Sequence, residues 1–164
     1  MNAHTLRSLA WSLALCAPLA CADDLLTRIE PVARSQFWLD GGFATYHFNR
    51  DKDLNGANPG LGAEYRVSDT TAITAGRFYN SDRRHSLYAG AIWQPYSLGP
   101  VRLGVVAAAF NGYPHMRDGG WFPALIPVAT IEFARVGVNL GVVPSYKDRL
   151  YGGLSLQLKF KLFD

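Results

Sequence analysis

The chain ends GGLSLQLKFKLFD, and no other stretch limits the possible folds so tightly. Leu154, Leu156, Leu158, Phe160 and Leu162 fall on one face of an extended strand, and Ser155, Gln157, Lys159 and Lys161 on the other. The same alternation recurs upstream. GLGAEYRV sets Leu61, Ala63, Tyr65 and Val67 against Gly62, Glu64 and Arg66; HSLYAGAIWQ sets Leu87, Ala89, Ala91 and Trp93 against Ser86, Gly90 and Gln94. VRLGVVAAAF and VGVNLGV behave alike, and three less regular runs cover 36–48, 70–80 and 122–134. Together these predict about eight strands of ~10 residues, the smallest set that closes a membrane-spanning barrel.

A soluble sandwich would turn the apolar face inward, whereas a transmembrane barrel turns it to lipid. Three features favour the barrel. The polar face carries glycines and charges (Glu64, Arg66, Arg102, Lys159) suited to a lumen. The chain finishes in an alternating strand with Phe163 next to the terminus, similar to the terminal signal of outer-membrane proteins. The N-terminus reads as an export leader, with Arg7 as its positive region, apolar residues over 9–19, and Ala20-Cys21-Ala22 as the cleavage site. A lipoprotein signal acylating Cys21 is the alternative, to which Pro18 and Leu19 are poorly suited. In lipid a sheet satisfies all its backbone polar groups only by closing. The fold class expected is therefore all-β: an eight-stranded antiparallel up-and-down transmembrane barrel over 36–164, exported to the bacterial outer membrane and acting as a monomer. Residues 23–35, DLLTRIEPVARS after the first Asp, are expected to form a short periplasmic segment with an amphipathic helix interrupted by Pro31.

Both cysteines, Cys16 and Cys21, lie in the leader, which removes disulfides and thiolate metal sites from the exported chain. The net charge of +3 is small and scattered, so nucleic acid is not an expected partner. No apolar run of ~18 residues follows the leader to make a spanning helix.

The connections sort into two sets. NRDKDLNGAN, NSDRRH, NGYPHMRDGGW and SYKDRL are long or charged; those near 67–71, 95–100 and 134–135 are short. In an up-and-down barrel alternate connections share an end, with long loops outside and short turns in the periplasm. This topology brings His47, Asn80, Ser81, Asp82, His85 and His115 to one rim. A histidine within reach of a serine hydroxyl is the minimum for activating an oxygen nucleophile or for general-base work. No G-x-S-x-G elbow, HExxH or phosphate loop is present.

One feature conflicts with the strand pattern. Pro59, Pro123, Pro127 and Pro144 sit in or beside strands, although proline has no N–H for a ladder.

The order and spacing of three pieces resemble the outer-membrane lipid A palmitoyltransferases. These are TYHF with a charged loop and NPGLGAEY; FYNSDRRHSLYAGAIW; and FPALIPVAT followed by VPSY. The resemblance implies acyl transfer from a glycerophospholipid donor to lipid A without cofactor or metal. It implies that His47 stands at the catalytic histidine and Ser81 at the serine. Pro59, Pro127 and Pro144 match positions where that family's wall opens sideways to lipid. Asn80 replaces an aspartate, and Asp82 is the neighbouring carboxylate that can substitute for it. Arg83 and Arg84 are expected to hold headgroup phosphates. Ile92, sharing inward parity with Gly90, stands where the family has the pocket-floor glycine, which predicts acyl chains shorter than palmitate.

Overall fold

The computed structural model describes residues 25–164. The leader, its cleavage site and both cysteines lie outside the described residues. Nine strands follow: β1 (Leu26–Arg28), β2 (Ala33–His47), β3 (Ala57–Ser68), β4 (Thr71–Tyr79), β5 (His85–Leu98), β6 (Val101–Phe110), β7 (Phe122–Phe133), β8 (Val136–Val143) and β9 (Gly153–Phe163). From β2 onward each strand pairs antiparallel with the next, and β9 returns to β2, closing an eight-stranded up-and-down barrel. Among the described residues no helix is long and apolar enough to cross a membrane.

The amphipathic helix expected near the N-terminus is not formed. Leu26–Arg28 is a strand paired with Tyr96–Leu98 of β5. The reason is an edge: β4 begins at Thr71, opposite Trp93, so the last turn of β5 extends beyond it with unpaired backbone groups. β1 fills that vacancy, and Ile29 N–H adds a bond to the Pro95 carbonyl at 2.8 Å.

The alternation is realised with apolar side chains outward. Leu61, Leu125 and Leu158 are 63%, 59% and 57% exposed, while Glu64, Arg66 and Lys159 are buried in the lumen. Exposed aromatics sit toward both rims: Tyr46, Phe48 and Trp121 at the long-loop end, Tyr96, Phe133 and Phe163 at the short-turn end. Within the lumen, Glu64, Arg66, Glu132 and Lys159 form an ion-pair cluster at the short-turn end. Above it, hydrogen bonds link Gln94, Thr130, Asn139 and Gln157. Higher still, Phe43, Phe78, Tyr88, Phe110 and Phe122 pack ring against ring, Phe43 and Tyr88 edge-on to Phe78, Tyr88 stacked on Phe110 and Phe122 tilted against Phe110. Tyr88 lies across Gly62 and Gly76, where any Cβ would come within 2.2–2.7 Å of its ring or hydroxyl.

One irregularity positions everything at the long-loop end. In β2, Trp38 and Asp40 face inward, as do Phe43, Thr45 and His47. Even residues point in below Gly42 and odd residues above it. The register shifts by one on both flanks: against β9, β2 advances three residues (Asp40 to Phe43) for two of its partner (Lys159 to Gln157), a bulge in β2, while against β3 it advances two (Gly41 to Phe43) for three (Leu61 to Asn58). A one-residue shift of register reverses facing, so without it His47 would share the outward parity of Leu39.

Candidate functional site

His47, the last residue of β2, meets Ser81, in the connection between β4 and β5, with Nε2 and Oγ 2.8 Å apart. With the neutral ring's unprotonated Nε2 as acceptor, the serine hydroxyl donates, the geometry from which a base takes a proton. The serine is held by the first long loop: Asn55 N–H donates to the Ser81 carbonyl at 2.9 Å, and Arg83 binds the Asp53 carboxylate at 2.9 Å.

Asn80 is fully buried and does not touch His47. Its Nδ2 donates to Ser86 Oγ and the Gly112 carbonyl, both at 2.8 Å, and its Oδ1 accepts the N–H groups of Asp82 and Arg84 at 2.9 and 3.0 Å. That is the side-chain-to-backbone turn pattern that asparagine favours. The Gly112 carbonyl needs a donor from this position, which an ionised aspartate cannot supply. Asp82 instead lines the same rim cavity as His47 and Ser81, a volume of about 30 Å³ that also includes Tyr113 and Arg149. Burial raises the Asp82 carboxyl above its usual range, while His115 and His47 pull it back. Burial likewise pushes the Tyr113 phenol up, so it remains a neutral hydroxyl there.

Below the rim lies a second cavity of about 70 Å³, walled by Phe43, Ile92, Val106, Phe110, Ile126 and Val128. It has room for roughly five water-sized groups, at ~10–15 Å³ each. Thr45 and Ser155, whose hydroxyls are 3.4 Å apart, stand between the two spaces. Gly90 does not line the cavity; it lets β6 approach, since a Cβ there would stand 2.3 Å from the Ala107 carbonyl.

The prolines mark where pairing stops. The β7 ladder with β6 runs unbroken past Pro123 and Pro127, but the ladder with β8 ends at Val128↔Gly141. Phe122 to Pro127 therefore has a strand on one side only. Pro144 follows the last residue of β8. Pro59 lies beyond the last β3–β4 pair, Gly60↔Phe78, and there Asn58 Nδ2 bonds the Tyr79 carbonyl at 2.9 Å in place of a ladder donor. Arg83 is engaged by Asp53, and Arg84 is exposed outside the cavity. Among the described residues no cluster of three His, Cys, Asp or Glu is placed to hold a metal.

Tyr113 and Arg149 were not legible as site residues. Each lies in a loop remote in sequence from His47, and only barrel closure joins them.

No protein-family model matches the chain, and no curated protein matches it. Among solved structures it is similar to the solution NMR structure of the de novo designed TMB2.3, a designed transmembrane β-barrel, with a TM-score of 0.54 and 17% identity over 82% of this chain and 97% of that one. At that identity the likeness concerns the fold alone.

Proposed function

We propose that this barrel resides in the bacterial outer membrane and transfers an acyl chain from a glycerophospholipid to lipid A or a related envelope lipid. The observation that carries the reading is the His47–Ser81 contact at 2.8 Å above an apolar lumen cavity. The apolar exterior and the likeness to a designed transmembrane barrel support the location. The order of motifs shared with lipid A palmitoyltransferases supports the chemistry.

In this reading His47 takes a proton from the attacking hydroxyl, either that of Ser81 or that of the acceptor oriented by it. The hydroxyl oxygen bonds to the donor's ester carbonyl carbon, that carbon's bond to the glycerol oxygen breaks, and the glycerol oxygen leaves with the proton returned by the imidazolium. Where Ser81 is the nucleophile, the acceptor hydroxyl then attacks the acyl-serine in the same way and the proton returns to Ser81. The unpaired stretch of β7 beside Pro127 gives the donor chain a sideways route from the bilayer. Ile92 narrows the lumen cavity, so the preferred chain is shorter than palmitate; each methylene that cannot be buried forgoes about 0.8 kcal/mol. The test is transfer by the refolded protein in mixed phospholipid–lipid A vesicles. Activity abolished in His47→Ala and reduced in Ser81→Ala supports the reading; equal product from all three proteins overturns it.

A second reading, a non-catalytic barrel with ligand-binding loops, draws support from Asn80, whose amide is committed to its turn rather than to His47. It predicts no transfer in the same vesicles.

A further inference from the structure

We infer that Arg149 is a phosphate-recognition residue: its guanidinium holds the phosphodiester of the lipid whose ester is presented to His47 and Ser81. The inference rests on the acyl-transfer reading for its reaction, and on separate observations for its binding.

Seven lysines and arginines occupy the long loops, and most are already engaged. Arg83 pairs with Asp53, and Arg117 donates to the Trp121 carbonyl. Arg50 lies 5.0 Å over Tyr46, Lys52 5.5 Å over Tyr151, and Lys147 5.7 Å over Tyr146. Arg84 and Arg149 have no such side-chain partner among the described residues. Of these two, only Arg149 lines the cavity holding His47, Ser81 and Asp82.

Its placement is fixed by a tight turn. Lys147 has φ +49°, and Tyr146 and Leu150 form a bridge that closes the turn. The turn follows β8 at the rim of the seam where β7 and β8 are unpaired, and Val143, the last residue of that strand, shares the cavity. A lipid entering through the seam with its ester toward Ser81 carries its phosphate a few bonds away, at this rim. A guanidinium offers that anion paired N–H donors in the geometry of two phosphate oxygens, and among the described residues no carboxylate lies within ion-pair distance to compete for it.

The test uses the full chain in detergent with two short-chain probes: dihexanoyl phosphatidylglycerol and dihexanoylglycerol, which lacks the phosphate. Binding is followed by tryptophan fluorescence, and transfer is measured with longer-chain versions of both donors. The wild type is expected to bind the phospholipid at least tenfold more tightly. Arg149→Ala should abolish that difference without changing diacylglycerol binding, and Arg149→Lys should restore part of it. In transfer, Arg149→Ala should raise KM for the phospholipid about tenfold and leave kcat within a few-fold. Equal loss for both probes, or no loss for either, overturns the inference. If phosphate-dependent binding follows Arg149 but no protein transfers an acyl chain, the inference stands and the acyl-transfer reading fails.

Discussion

At the residue scale, the division of labour between Asn80 and Asp82 is the least expected result. By the resemblance, residue 80 should carry the carboxylate; in the structure it supplies an amide to a turn, and the acid sits two residues on. Asn80→Asp would set a carboxylate against the Gly112 carbonyl and leave buried groups unpaired, which costs about 1–3 kcal/mol. We expect a lowered urea midpoint and no gain in transfer. Asp82→Asn should keep the fold and lower kcat. Because burial raises the Asp82 carboxyl, it becomes protonated at a higher pH than an ordinary aspartate. Wild-type transfer should therefore fall on acidification in two steps, one from Asp82 above the usual carboxylate range and one from protonation of the His47 base, and only the Asp82 step should vanish in Asp82→Asn. A pH–rate profile of both proteins reads this directly. The topology placed His47 and Ser81 at one rim among six polar residues, and the resemblance picked out that pair and, with strand parity, Ile92. The role of Asn80 was not, because the sequence names a side chain without saying which backbone groups it faces.

At the element scale, the strands were readable because an apolar exterior and a largely polar lumen impose a period of two over nearly every residue. The β2 bulge was not readable. Strict alternation from Leu39 would send His47 outward, and only the pairing with β9 across Gly42 reveals the extra residue in β2. Gly42 tolerates no side chain, since a Cβ would lie 2.2 Å from the Asn58 carbonyl and 2.4 Å from the Gly60 nitrogen. Gly42→Val must push β2 and β3 apart. It should lose transfer while the barrel still forms, seen as retained β circular dichroism with a changed His47 imidazole NMR signal. The N-terminal segment misled for a related reason: its apolar spacing suits a helix in isolation, but the open edge of β5 is a tertiary demand that local sequence does not report.

At the scale of the whole molecule, the barrel is a cup rather than a channel. The Glu64, Arg66, Glu132 and Lys159 cluster fills the short-turn end, with Lys159 Nζ 4.5 Å above the Trp38 ring, while the apolar cavity lies toward the other end. Removing one member leaves its buried partners uncompensated, so Lys159→Met should destabilise the barrel by about 3–5 kcal/mol in reversible urea unfolding from lipid vesicles. The depth of the cup sets what it can hold: Ile92→Gly should shift the preferred donor chain to greater length, read by competition between donors of different chain length. An unchanged preference would remove Ile92 from the pocket floor. The central claim is that the dyad at the mouth of this cup moves an acyl chain onto an envelope lipid. Mass spectrometry of lipid A from cells expressing the wild type or His47→Ala tests it most directly. The account predicts an added acyl mass, smaller than a palmitoyl group, in the wild type and its disappearance in the variant; identical spectra, or an acyl group removed rather than added, would contradict it.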